Sequence, residues 1–198
     1  MEFTGVLFDT EDTIFDCTKQ LAELAALAMV QEGILFNQEQ FFSSFHRNPK
    51  QCIYRELERF NQIEMFRKVE SRFLDLASSK LPFSIFPIEE VSNTLQFLKN
   101  LNIKVGLCSR NNYTLVLEML ASASNIRDYI KCVFGQEFTP QKGELEKYTV
   151  SKLGLKFDSV VVVTHSTVPS RSQSYLPWCV ITIDSPYELK PKLFREIL

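Results

Sequence analysis

The sequence predicts a doubly wound, parallel five-stranded α/β sheet with an inserted α-helical subdomain, and three observations carry that expectation. From Ile88 onward, apolar segments of strand length alternate with segments of helical period, the signature of crossover-connected parallel strands. Val160-Val161-Val162-Val163 and Val180-Ile181-Thr182-Ile183 are continuous β-branched runs, as expected of strands covered on both faces. The stretch from Cys17 to about Lys80, by contrast, reads as helix throughout and interrupts the alternation after the first strand.

That first strand, Val6-Leu7-Phe8, runs directly into acids at Asp9, Glu11, Asp12 and Asp16. Asp9 therefore falls at the carboxyl end of a buried strand, where open α/β sheets bind ligands. Taken alone, Asp9 and Asp16 also fit turn or helix-capping acids. Thr18 to Glu32 carries Leu21, Leu24, Ala25, Ala28 and Met29 at helical spacing, and Gly33 is placed to close the helix. Asn37 with Gln40 resembles a capping pair for a second helix through Phe41, Phe42 and Phe45, and Pro49 suits the first turn of a third. A fourth helical pattern runs from about Ile63 through Phe66, Val69 and Phe73 to Leu76, and Pro82 and Pro87 punctuate the return.

The remainder reads as a helix (Val91, Leu95, Leu98), a strand (Ile103 to Cys108), a helix (Tyr113 to Ala121) and a strand (Lys131 to Phe134). A helix from Glu144 to Leu153, closed by Gly154, follows. Strands Ser159 to Thr164 and Cys179 to Ile183 and a closing helix from Tyr187 to Ile197 complete the chain.

Composition narrows the function classes. With 198 residues, 45% hydrophobic and 23% charged, the chain has room for one core domain carrying an insertion. Lys and Arg number 22 against 24 Asp and Glu, which gives no bulk electrostatic case for nucleic acid or membrane binding. The five cysteines are scattered, without the spacing of a metal knuckle or a redox pair, and read as reduced thiols. The longest apolar run, around Leu24 to Val30, is too short to span a bilayer. A cytoplasmic location is the resulting expectation.

Phe8-Asp9-Thr10-Glu11-Asp12-Thr13-Ile14-Phe15-Asp16, the strand Lys104-Val105-Gly106-Leu107-Cys108 ending in Ser109, and Lys142 ahead of a helix together resemble the haloacid dehalogenase superfamily of phosphohydrolases. The resemblance covers essentially the whole chain. It implies a Rossmann-like core over 1–16 and 81–198, and a helical cap over 17–80 acting as a lid. It also implies that Asp9 is the nucleophile forming an aspartyl phosphate and that the acid two residues on handles the proton of the leaving group and of water. Ser109, with backbone groups at Arg110 and Asn111, would hold phosphoryl oxygens. Lys142 would neutralise the anion, and the cofactor implied is Mg2+, with Asp9 among its ligands. Lys147 and Lys152 compete with Lys142 for the role, and an ordinary solvated lysine is the plain alternative.

Two departures fall in the first motif: Glu11 stands where the family has Asp, and Asp12 where it has Gly. One extra methylene moves the Glu11 carboxyl by more than ~1 Å, enough to cost ~10²-fold in rate. The fourth motif, a strand ending in Gly-Asp with another Asp shortly after, is matched only by Val163-Thr164-His165-Ser166-Thr167-Val168-Pro169-Ser170, which has no acid. Mg2+ wants carboxylate and water oxygens, so that loop is a poor substitute. His165 reads as a loop or packing histidine, with ligation of a softer metal as the alternative, and Arg47, Lys50, Arg55 and Arg59 as a solvated helix face or, alternatively, as groups meeting a substrate phosphate or carboxylate.

Three functions are thereby in competition. One is a phosphohydrolase-fold protein that is weak or inactive as a Mg2+-dependent phosphatase and serves as a binding or interaction module with a protein partner. Another is an active phosphomonoester hydrolase acting on a small phosphorylated metabolite. The last is a metal-independent dehalogenase-like hydrolase.

Overall fold

The computed structural model describes residues 3–46, 48–85, 87–109, 114–138, 144–165 and 179–195; the side chain of residue 115 is also outside the description. They divide into two compact units: Cys17–Ser84, and Met1–Asp16 joined with Ile85–Leu198.

The second unit is built on five parallel strands: β1 (Gly5–Asp9), β2 (Lys104–Cys108), β3 (Cys132–Phe134), β4 (Val160–His165) and β5 (Val180–Ile183), in the order β3-β2-β1-β4-β5. Its described helices are α5 (Glu89–Asn100), α6 (Thr114–Ala123) and α7 (Glu144–Lys152), numbered after the four of the helical unit. From β1 the chain winds outward through β2 to β3, then returns to the other side of β1 for β4 and β5. The reversal lies between β1 and β4, the topological switch point at which such sheets open a crevice for ligands. Every residue of β1 is buried, because this strand has a neighbour on each edge.

One face of β1 and β4 packs Leu7, Val160 and Val162 against Val150 and Leu153 at the end of α7. Gly106 permits the close approach of α7 to this face. A Cβ there would lie 2.9 Å from Leu7 Cδ2, 3.0 Å from Thr149 Cγ2 and 3.3 Å from Cys132 Sγ. Gly106→Ala is expected to cost about 1–3 kcal/mol by overpacking, read as a lower urea midpoint at unchanged m; an unchanged midpoint would show that the layer gives way freely. Burial of the Cys132 thiol pushes its pKa up to about 11, as befits an unreactive packing residue.

The expected closing helix is corrected. Instead of a helix from Tyr187, single 3-10 turns form at Pro186–Glu188 and Pro191–Leu193, with Lys190 extended between them (φ −123°, ψ 149°). Pro191 has no N–H to give and its ring drives the preceding residue out of the helical region. This tail is nevertheless anchored: Leu189 and Phe194 are fully buried, and the buried Thr94 hydroxyl of α5 donates to the Leu189 carbonyl at 2.8 Å.

The helical unit contains α1 (Thr18–Gln31), α2 (Gln38–Ser44), α3 (Pro49–Arg59) and α4 (Phe66–Ser84). Gly33 takes φ +74° after α1, the left-handed turn for which glycine is suited. Asn37 caps α2 by accepting the Gln40 N–H at 3.0 Å, and Asn48 caps α3 through Gln51 N–H, with Pro49 in its first turn. Helix α4 does not end before Pro82 but carries it in its last turn and stops at Ser84. Near the end of α1, Glu32 meets Lys68 at 2.8 Å and Arg72 at 3.0 Å on α4, and their hydrogen bonds hold its carboxyl below the usual range.

Candidate functional site

At the carboxyl end of β1 the chain turns back on the carbonyl of Thr10, which accepts the N–H groups of Ile14 at 3.0 Å and Phe15 at 3.1 Å, with Thr13 longer at 3.4 Å. Asp12 N–H donates to the Phe15 carbonyl at 2.7 Å, which puts Asp12 at φ +54°. A position with that dihedral suits glycine, and a side chain there costs on the order of 1 kcal/mol. The Asp12 departure noted in the sequence thus falls on a residue whose backbone is left-handed.

The turn buries both acids that matter most. Asp9 is 9% exposed and Glu11 3%, with Thr10 and Ser109 at 0%. Asp9 Oδ1 accepts the Thr10 N–H at 3.1 Å, and Oδ2 accepts the Thr164 hydroxyl at 3.2 Å from the end of β4. Glu11 Oε1 accepts the Ser109 hydroxyl at 2.7 Å, and Oε2 accepts the Thr10 hydroxyl at 2.8 Å. The Ser109 N–H continues the β2–β3 pairing by donating to the Phe134 carbonyl at 3.0 Å. Asp9, Glu11 and Ser109 are therefore brought together, across 98 residues of sequence in the case of Glu11 and Ser109. Arg110, Asn111 and Lys142, named from the sequence, lie outside the described residues.

Sequence reasoning missed Thr10 and Thr164. The signal for Thr164 was its place at the end of β4, one residue past Val163, the register partner of Phe8; the acids absent from the following loop are the louder feature. His165 donates from Nε2 to the Asp184 carbonyl at 2.8 Å and pairs in register with Ile183. Asp16 accepts the Tyr187 hydroxyl at 3.3 Å; desolvation, then the Asp16 charge, raises the phenol above its ordinary pKa.

In the helical unit, the basic residues of the candidate solvated face are committed locally. Lys50 pairs with Glu70 at 2.7 Å, Arg59 with the buried Glu56 at 2.7 Å, and Arg55 lies 3.3 Å from His46 Nε2. Arg47 is outside the described residues.

The donor set at β1 fits Mg2+ poorly. Mg2+ prefers carboxylate and water oxygens, whereas β4 ends in Thr164 and His165 and residues 166–178 contain no carboxylate. Among the described residues no three His, Cys, Asp or Glu side chains cluster in a way that holds a metal ion. No helix of the described residues is long and apolar enough to cross a membrane.

A five-stranded parallel sheet with a buried Asp at its switch point and a Ser at the end of the neighbouring strand makes this a doubly wound α/β protein with its candidate site at the strand ends. The chain belongs to the haloacid dehalogenase-like hydrolases, whose family model matches residues 3–168. Solved structures share the fold at low identity. CbbY from Rhodobacter sphaeroides, in complex with phosphate, superposes with a TM-score of 0.69 at 12% identity, covering 94% of this chain and 96% of that one. Beta-phosphoglucomutase from Clostridium difficile gives 0.65 at 15%, covering 98% and 96%. A HAD family hydrolase from Deinococcus radiodurans R1, with bound phosphate and sodium, gives 0.59 at 14%, covering 97% and 95%. Comparison with curated proteins gives no match.

Proposed function

We propose that this chain is a haloacid dehalogenase-fold protein with weak or absent Mg2+-dependent phosphatase activity, retaining a site for a small phosphorylated ligand at the carboxyl ends of β1 and β2. The single observation that carries the reading is the state of the two first-loop acids. Glu11, where proton transfer to a leaving group would be needed, is buried with one oxygen on Ser109 and the other on Thr10. A general acid or base must reach the proton it moves, and a carboxylate already holding two hydroxyls has to exchange at least one of them to do so. The acid-poor end of β4 supports the same reading, since it offers none of the carboxylate oxygens that would hold Mg2+ beside Asp9. Ser109 is the residue assigned to the phosphoryl oxygens, and the helical unit Cys17–Ser84 is assigned the part of a cap.

The second reading, an active phosphomonoester hydrolase working through an aspartyl phosphate, is favoured by one observation: Asp9 is kept at the switch point, where a nucleophile is needed.

Melting curves with Mg2+ and beryllium fluoride test the choice. Joint addition of the two is expected to leave the melting temperature where Mg2+ alone leaves it. A rise that needs both components would favour the hydrolase, because a ligand that binds only the folded state stabilises it by RT ln(1 + c/Kd) at free ligand concentration c.

A further inference from the structure

We infer that Glu11 is an intramolecular occupant of the oxyanion site, its carboxylate holding the Ser109 hydroxyl that a bound phosphoryl group would otherwise use. The inference rests on the preceding assignment of Ser109 to phosphoryl oxygens.

A carboxylate only accepts hydrogen bonds, and it finds here the kind of donors that a phosphoryl group finds. The Ser109–Glu11 contact, at 2.7 Å with both residues buried, is short and charge-assisted. The second oxygen takes the Thr10 hydroxyl, so the carboxylate is held at both ends of its fork. Side-chain length decides the matter. Aspartate at this position ends one methylene earlier, more than ~1 Å short of the reach that glutamate uses to meet Ser109.

A second carboxylate acts in the same sense at the next strand end. Glu137, in the turn after β3, accepts the Thr114 N–H at 2.7 Å at the start of α6, the helix that follows Ser109. The first turn of a helix is the other usual donor to a bound phosphate. A hydroxyl and a helix-start N–H at this edge of the sheet are thus both satisfied by the chain's own anions. An incoming phosphate must displace Glu11 and leave its carboxylate buried with fewer donors, which opposes binding.

The test is calorimetric titration of inorganic phosphate into the wild type, Glu11→Asp, Glu11→Ala and Glu11→Asp/Ser109→Ala, each checked for folding by its melting curve. Glu11→Asp is expected to bind phosphate at least roughly tenfold more tightly than the wild type, since one charge-assisted hydrogen bond no longer has to be exchanged. It keeps the negative charge, so relief of repulsion does not account for the gain. Glu11→Ala should gain at least as much, and adding Ser109→Ala should abolish the gain. The inference is overturned if Glu11→Asp binds as weakly as the wild type, or if the gain survives loss of the Ser109 hydroxyl. Should Glu11→Ala not fold, Glu11→Asp carries the comparison. Ser109→Ala in the wild-type background adds a further check, because a drop in phosphate affinity there would mean that the hydroxyl already serves the ligand. Failure of the proposed function is read elsewhere, in Mg2+-dependent turnover, whereas this inference stands or falls on the affinity ratio.

Discussion

Phe8→Ala is expected to lower the unfolding free energy by about 3–5 kcal/mol, the cost of emptying a large aromatic site in a packed core. Phe8 is fully buried in the central strand, and its ring meets that of Phe194 edge to face at 6.2 Å and 67°. Phe194 is also fully buried, so neither ring has a solvated alternative in the folded state. Against a net stability of roughly 5–15 kcal/mol for a domain, the loss is about a fifth or more of the total. Such a pair adds about 0.5–1.5 kcal/mol beyond area burial, so Phe8→Ala and Phe194→Ala together should cost less than the sum of the two. Urea denaturation followed by circular dichroism measures this. A loss below about 1 kcal/mol would mean that the C-terminal turns collapse into the space, and that Phe194 does not pin β1 as described.

Turnover of a generic aryl phosphate in saturating Mg2+ is expected to be at least ~10²-fold less efficient than the roughly 10⁴–10⁸ M⁻¹s⁻¹ at which enzymes typically process their substrates. Displacing the proton-transfer carboxyl by more than ~1 Å suffices for that factor. Its hydrogen bonds to Ser109 and Thr10 must also be exchanged before it can serve a leaving group. Asp9 remains where a nucleophile belongs, but its Oδ2 accepts the Thr164 hydroxyl. A hydroxyl supplies one hydrogen bond and no full positive charge, so it offsets little of the charge that gathers on a phosphoryl group in transit. Steady-state release of the aryl product, measured with and without Mg2+, checks the figure.

The sheet was readable from continuous β-branched runs and from strand-length apolar segments alternating with segments of helical period, because strands buried on both faces leave few choices of residue. Helices α2 and α3 were readable from Asn37 and Pro49, whose roles are set by their own backbone neighbours. Local signals misled where two of them competed. Pro82 reads as punctuation of the return yet sits in the last turn of α4, where the buried Leu81 and its neighbours in the helical face outweigh one lost hydrogen bond. Apolar residues from Leu189 to Phe194 suggest a helix, and Pro191 overrides them.

At the site, the position of Asp9 followed from its strand end, and that of Ser109 from the resemblance of β2 and the residue after it to a family motif. The contact between Glu11 and Ser109 did not, because it depends on how far a side chain reaches between residues 98 positions apart in sequence. Thr164 was hidden for a similar reason: a hydroxyl at the end of a strand is common, and only the β1–β4 register sets it against Asp9.

Whether the first-loop acids still perform phosphoryl transfer is decided by comparing aryl phosphate hydrolysis by the wild type and Asp9→Asn across a Mg2+ titration. Rates are expected to be low, nearly independent of Mg2+ and nearly the same in the two proteins. Robust turnover that rises with Mg2+ and disappears in Asp9→Asn would contradict the proposed function and make this chain a working phosphatase.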